Sequence, residues 1–172
     1  MMLEIALDAD EEWDSSGGKR CDWLPVARRA ASAAISESAF PDLSDAERQV
    51  EISVTLTGDE QVRALNAKWR GKDKPTNVLS FPMADERDLA RANVAGPELL
   101  LGDIILAHGV CAAEAEEKGV SFEDHATHLM VHGTLHLLGY DHLDDSQAAD
   151  MESREARALE RLGIANPYEV TA

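Results

Sequence analysis

The run HGTLHLLGYDH, residues 132–142, restricts what this chain can fold into more than any other segment. His132 and His136 are four residues apart, so a helix would carry both imidazoles on one face, about one turn (~6 Å) apart. Gly139 can adopt the left-handed conformation that ends a helix, and the chain can then reverse and bring His142 to the same point. Three neutral imidazoles with one open position are the ligand set of a catalytic zinc site. The run therefore predicts one Zn²⁺ per chain, bound by these three histidines.

A fourth histidine, His128, lies one helical turn before the pair, and distance excludes a ligand set made of helix residues alone. His128, His132 and His136 would spread their α-carbons over about 12 Å, whereas three ligand nitrogens must lie within roughly 2.1 Å of one ion. His142 is therefore the better third ligand. For His128 three alternatives stay open: a hydrogen-bonding partner of the site, a proton carrier, or a packed core histidine. His125 is expected to be an ordinary surface or cap residue.

Two neighbours of the histidines bear on the chemistry. Asp141, beside His142, can orient an imidazole or accept a proton, or it can be a turn residue only. Gly133 stands where the metzincin proteases, which share the histidine and glycine spacing, carry the glutamate that acts as general base. No side chain can act as a base from that position here. A peptidase that uses another base is therefore the weakest functional hypothesis.

The chain is strongly acidic overall, but its charge varies from segment to segment. There are 33 Asp and Glu against 16 Lys and Arg, a formal net charge of −17. This argues against generic nucleic-acid binding, which relies on cations that neutralise phosphates. The segment 63–74 is locally basic, because Asp73 is its only acidic residue. It could be a substrate-binding surface or simply a solvated face of the protein. The candidate substrate-binding residues in this segment are Lys68, Arg70, Lys72 and Lys74.

The sequence predicts a cytoplasmic protein with no membrane partner. No window reaches the ~18 uninterrupted apolar residues of a membrane span. Residues 1–10 include acidic residues and lack the basic start of a signal peptide. Cys21 and Cys111 are far apart and are expected to be reduced thiols.

The periodicity of apolar residues predicts both strands and helices. Strands are expected at 2–8, 51–57, 76–81 and 100–107, and helices at about 22–38, 59–70, 108–118, 121–138 and 145–162. Residues 10–20 and 83–99 lack periodicity and are predicted to be loops. The pattern favours a single α+β domain over 1–172, with a small mixed four-stranded sheet and about five helices.

The second of these helices has a further internal pattern. Asp59 stands at its start, where a carboxylate can cap a helix by accepting a backbone N–H. Val62, Leu65 and Trp69 are three and four residues apart and are expected to bury one common face, with Gly71 ending the helix.

Beyond the histidine run, three other segments resemble a known family. They are WRGKDKPTNVLSFP (69–82), LGDI (101–104) and NPY (166–168). Together with residues 132–142, they look like the signature blocks of the YbeY family of bacterial endoribonucleases and rRNA maturation factors. The resemblance covers about residues 50–168, and its long histidine motif is highly specific.

The resemblance implies a zincin-like α+β fold with a single zinc bound by the three motif histidines. It implies a single-strand-specific endoribonuclease that acts in 3′-end maturation of small-subunit rRNA and in ribosome quality control. The implied partners are rRNA and the small ribosomal subunit, with ribosomal proteins and an assembly GTPase. Arg70 stands at the position of a functional arginine of the family, on the cleft opposite the metal.

Two function hypotheses from different classes follow. In the first, the chain is a hydrolase in which zinc polarises a phosphate oxygen or lowers the pKa of bound water toward ~7. Arg70 binds the scissile phosphate, and Asp141 or His128 accepts the proton. In the second, the chain is a ribosome-assembly binding factor with a largely structural zinc. Three ligands without a fourth favour the hydrolase, whereas the acidic surface favours binding to basic ribosomal proteins.

Overall fold

A computed structural model describes residues 3–16, 19–46, 48–92, 94 and 96–168. The strands are β1 (Leu3–Ala9), β2 (Ser15–Ser16), β3 (Lys19–Arg20), β4 (Val50–Thr57), β5 (Val78–Pro82) and β6 (Leu99–Ala107). The helices are α1 (Trp23–Ser36), α2 (Asp59–Arg70), α3 (Glu86–Ala90), α4 (His108–Lys118), α5 (Phe122–Leu137) and α6 (Asp145–Arg161). Two short 3-10 helices, Glu11–Trp13 and Pro41–Asp45, complete the regular structure of the described residues.

Four strands form a mixed sheet in the order β1-β4-β6-β5. Strand β4 runs parallel to β1 and β6, and β5 runs antiparallel to β6. The two central strands are apolar, and Ile52 and Leu56 of β4 and Leu101 and Leu106 of β6 are fully buried. Such burial is typical of strands that are covered on both faces. The α+β class and the mixed four-stranded sheet predicted from the sequence are confirmed.

Helices cover both faces of this sheet. The larger apolar core includes residues of α1, α5 and α6, whereas a smaller cluster packs beneath α2. Helix α1 begins at the predicted cap, because the side chain of Asp22 accepts the backbone N–H of Leu24 (3.3 Å). In the described part of the chain, no helix is both long and apolar enough to cross a membrane.

The two predicted loops contain more structure than expected. Within 10–20, Trp13 is fully buried and its Nε1 donates to the carbonyl of Thr57 (3.0 Å). Within 83–99, α3 adds a sixth helix to the five predicted, and Asp85 and Asp88 form a reciprocal capping box at its start. A lone aromatic anchor and a short capped turn have no period, so the apolar pattern does not reveal them.

Helix α2 ends at Gly71 as predicted, with a φ of +67° at that glycine, but it differs from the predicted pattern at its N-cap and at Trp69. The N-cap is Gly58, and the Asp59 carboxylate instead accepts the backbone N–H of Val110 (3.1 Å) in the first turn of α4. Val62 is fully buried, but Trp69 is 62% exposed. The common buried face ends before Trp69 because Val62 and Leu65 are the α2 residues that pack in the apolar cluster beneath this helix.

Helix α5 packs directly against β5 and β6, and Gly133 permits this approach. A Cβ atom at position 133 would lie 2.9 Å from Ile104 Cγ2 and 3.2 Å from Ser80 Oγ. The helix begins as predicted, with the Ser121 hydroxyl accepting the backbone N–H of Asp124 (3.1 Å). This close packing fixes the depth at which the histidines of α5 are presented.

Candidate metal centre and cleft

The end of α5 and the chain reversal after it bring three histidines together. The Nε2 atoms of His132 and His136 are 3.0 Å apart. Gly139 has a φ of +95° and lets the chain turn back. The ring of His142 then lies 5.9 Å from that of His132 and 5.3 Å from that of His136, measured between centroids. One nitrogen of each histidine lies within 4.8 Å of the others, so the three can hold one metal ion.

Hydrogen bonds on the far nitrogens orient two of these imidazoles. Nδ1 of His136 donates to the carbonyl of Tyr140 (2.8 Å), and Nδ1 of His132 donates to the carboxylate of Glu155. We assign the protons from these acceptors. A neutral imidazole protonated at Nδ1 presents a lone pair at Nε2. Two lone pairs therefore face each other across 3.0 Å, and they repel unless a cation lies between them.

The donor set fits a metal ion that keeps an open coordination position. Tetrahedral coordination at roughly 2.1 Å places ligand nitrogens about 3.4 Å apart, close to the 3.0 Å between His132 and His136. In the described part of the chain, the cluster offers three side chains that could serve as ligands. Burial and the neighbouring His132 ring lower the pKa of His136 to about 4. His136 is therefore neutral at pH 7, which is the form that binds a metal.

Glu155 of α6 completes the site and is not among the site residues predicted from the sequence. Its side chain is 1% exposed. One carboxylate oxygen accepts from His132 Nδ1, and the other accepts from His128 Nε2 (3.2 Å) and from the Tyr168 hydroxyl. Burial raises the pKa of Glu155, but the hydrogen bonds from His128 and His132 outweigh it and lower the pKa to about 2. A buried carboxylate anion thus stands behind His132 and orients it.

A signal for Glu155 was present in the sequence. In α6, Met151, Glu155, Ala158 and Leu159 are buried, which is the i, i+4, i+7, i+8 stripe of an amphipathic helix. A carboxylate on the apolar stripe must be paired, because an unpaired buried charge is very costly. A histidine can supply such a partner, and His128 and His132 do so here.

His128 lies behind the histidine cluster rather than in it. Its side chain is buried, and its Nε2 contacts the carboxylate of Glu155 and the hydroxyl of Tyr168 (3.3 Å). It is absent from the described residues that line the cleft next to the histidine cluster. These contacts fit the alternative in which His128 is a hydrogen-bonding partner of the site.

A cleft of about 600 Å³ is lined by the three histidines of the cluster and by Arg70. Arg70 is the last residue of α2, and its Nη2 donates to the carbonyl of Ser80 (2.8 Å). Its guanidinium also lies 5.5 Å from the ring centroid of Phe81. These two contacts hold the guanidinium at the cleft while most of its five N–H groups stay available to an anion.

The four cations predicted to bind substrate divide into two groups. Arg70, Lys72 and Lys74 line the cleft, whereas Lys68 does not. Lys68 is exposed, and its Nζ lies 5.0 Å from the ring centroid of Trp69. Three of these four cations therefore present their charge to the cleft.

Asp141 lines the cleft beside the histidines. Its Oδ1 accepts the backbone N–H of His142 (2.8 Å), which is the contact of a turn residue. Its position in the cleft is also compatible with the role of a proton acceptor.

His125 is not the surface residue that the sequence suggested. It is 2% exposed, and its Nε2 lies 2.8 Å from Oε1 of Glu114, which also accepts from Nδ2 of Asn77 (3.1 Å). Burial lowers the pKa of His125 despite the contact with Glu114. This chain of contacts ties α5 and α4 to Asn77, a residue of the cleft wall.

The chain as a whole is similar in sequence to known proteins. Residues 26–163 match the protein family described as endoribonuclease YbeY. The chain is 50% identical over 172 residues to the endoribonuclease YbeY of Rhizorhabdus wittichii, covering 99% of both chains. It is 52% identical over 169 residues to that of Sphingopyxis alaskensis, covering 97% of this chain and 98% of the relative.

A solved structure has a similar fold. The solution structure of TM1509 from Thermotoga maritima superposes with a TM-score of 0.51 at 20% identity. The match covers 98% of this chain and 100% of that one. At this identity the similarity concerns the fold alone.

Proposed function

Because the chain belongs to the endoribonuclease YbeY family, we propose that it is a zinc-dependent endoribonuclease that cleaves single-stranded RNA. Its proposed substrate is the 3′ region of small-subunit rRNA, and its proposed roles are rRNA maturation and ribosome quality control. The observation that carries the proposal is the cleft, which is lined by both the three-histidine cluster and Arg70.

Each residue of the cleft has a role in this proposal. His132, His136 and His142 would hold the metal, and Glu155 would keep His132 in the tautomer that presents Nε2. When bound, the metal supplies a water of lowered pKa and a positive charge next to the phosphate. Arg70 would bind the phosphate through two parallel N–H groups and offset the negative charge that develops during hydrolysis.

The distribution of charge suits a substrate that enters at one place. With a net charge of −17, most of the protein surface repels RNA. Lys72 and Lys74 add positive charge beside Arg70 in the cleft, so the backbone of an RNA strand would be attracted there. Lys68 does not line the cleft and is expected to contribute little to binding.

Asp141 is the better candidate for the proton acceptor. It lines the cleft, whereas His128 is bonded to Glu155 behind the cluster. Gly133 offers no side chain, and the approach of Ile104 and Ser80 leaves no room for one. The absence of a base at this position speaks against peptide hydrolysis.

The alternative function is a ribosome-assembly factor with a structural zinc. Structural zinc sites are usually closed by four protein ligands, and the described residues supply three. We therefore favour the hydrolase. Ribosomal proteins and an assembly GTPase remain proposed partners of the acidic surface, and the cytoplasm remains the proposed location.

The test compares two substitutions that remove the same charge from the same helix. Arg70→Ala should lower the rate of RNA cleavage by about 100-fold or more, as loss of an electrostatic donor does, without changing metal content. Lys68→Ala should leave the rate within about two-fold, because Lys68 makes no cleft contact. Cleavage should also stop on chelation and return with Zn²⁺. Equal effects of the two substitutions, or cleavage that survives chelation, would contradict the proposal.

A further inference from the structure

Ser80, on β5, carries a buried hydroxyl that lacks a hydrogen-bond partner among the described residues. Its relative exposure is 8%, and it lines the cleft. The other buried polar or charged side chains of the described residues all have partners; they are Ser38, Thr57, Asn66, His125, Thr127, His128, Thr134 and Glu155. Buried polar groups are nearly always paired, and an exception calls for an explanation.

The position of this hydroxyl supplies the explanation. Ser80 Oγ lies 3.2 Å from the point where a Cβ atom of residue 133 would stand. Position 133 follows the first histidine of the cluster, and it is the position from which metzincin proteases project their catalytic glutamate. The Ser80 hydroxyl therefore lies where the side chain of a glutamate at position 133 would begin.

The backbone of Ser80 is already part of the site. Its carbonyl accepts from Arg70 Nη2 (2.8 Å), so the guanidinium and the hydroxyl are held by one residue of a strand. A strand fixes both groups more firmly than a loop would, because its backbone is tied to β6 through paired residues Ser80 and Ile104.

We propose that the Ser80 hydroxyl binds substrate by donating a hydrogen bond to a non-bridging oxygen of the phosphate that Arg70 binds. The inference rests on the proposed RNA-cleaving function and adds a residue to it. The hydroxyl would gain its missing partner only when the phosphate is bound. It carries no charge, so it would orient the phosphate while Arg70 and the metal offset the negative charge.

The test measures RNA affinity without cleavage. Metal-free protein in chelator and low salt is titrated with a single-stranded oligoribonucleotide, using wild type, Ser80→Ala and Arg70→Ala. The matched control is Ser53→Ala, a part-buried serine of β4 that does not line the cleft. We expect Ser80→Ala to weaken binding about ten-fold, since a hydrogen bond to a charged group is lost, and Ser53→Ala to bind as wild type.

Thermal melting without RNA separates binding from folding. Ser80→Ala removes an unpaired buried hydroxyl, so its melting temperature should equal or exceed that of wild type. If melting falls, Ser80→Cys tests the same point, because it fills a similar volume with a weak donor. Weak binding by a stable Ser80→Cys supports the proposal, whereas wild-type binding by that variant overturns it.

The remaining outcomes distinguish the two proposals. Wild-type affinity in Ser80→Ala together with weak binding in Arg70→Ala overturns the role of Ser80 and leaves the proposed function in place. A wild-type protein that binds no single-stranded RNA in chelator overturns the Ser80 proposal, which requires binding by Arg70 and Ser80 without metal. The proposed function is overturned only if the Zn²⁺-loaded wild type also fails to cleave RNA.

Discussion

Replacing Glu155 by glutamine tests whether the buried carboxylate supports the metal site. The substitution keeps the size and one acceptor oxygen for His132 Nδ1, but it removes the negative charge that polarises this imidazole. Loss of such a supporting carboxylate typically costs 10–100-fold in metal affinity, about 1.4–2.7 kcal/mol. We therefore expect a Zn²⁺ dissociation constant 10–100-fold above that of wild type.

The assay is competition with a chelator of known affinity, followed by melting of the metal-free protein. Glu152→Gln is the matched control, because Glu152 is on the same helix, carries the same charge and is exposed. Glu155→Ala should be much more disruptive, since it leaves the donors of His132, His128 and Tyr168 unpaired at about 1–3 kcal/mol each. Equal zinc affinities of Glu155→Gln and Glu152→Gln would refute the idea that Glu155 acts through its charge.

Three further predictions concern stability. The pKa of His136 falls from 6.5 to about 4 on folding, so the unfolded chain binds more protons than the folded one between these two pH values. The free energy of unfolding of the metal-free protein should therefore rise by up to about 3 kcal/mol as pH increases from 4 to 6.5. Urea unfolding of His136→Asn should show a weaker dependence on pH. Gly133→Ala should lower the free energy of unfolding, measured in urea, by about 1–3 kcal/mol, because its Cβ would lie 2.9 Å from Ile104 Cγ2. At an uncrowded helix position the same replacement stabilises, so a higher free energy of unfolding would contradict the close packing. Asp59→Ala should cost about 0.5–2 kcal/mol by uncapping α4 at Val110, and hydrogen exchange should localise the loss to α4 rather than α2.

The sequence predicted the parts of the site that depend on local geometry. His132 and His136 lie one turn apart because any helix places residues i and i+4 together, and Gly139 ends that helix as its conformational freedom allows. The main strands and helices were also predictable, because buried elements repeat their apolar residues with a period of two or 3.6. The order β1-β4-β6-β5 was not, since no local pattern encodes which strands pair.

What the sequence did not reveal depends on contacts between distant residues. Glu155 is 23 residues from His132, and Ser80 is ten from Arg70, so neither pairing leaves a local pattern. Trp69 has the spacing of a buried residue, yet it is exposed because the apolar cluster under α2 does not extend that far. Asp59 was predicted to cap α2. It caps α4 instead, because the start of α4 comes next to Asp59 only in the folded chain.

The contact between Gly133 and the sheet also bears on how this fold can evolve. A glutamate at position 133 would have to enter space now filled by Ile104 and Ser80. Each single replacement on a route to a peptidase would pass through a chain that is overpacked, or through one with a cavity at the sheet. A glutamate at position 133 would therefore be accommodated best together with smaller side chains at positions 104 and 80. A packing contact of one helix can in this way keep two related chemistries apart.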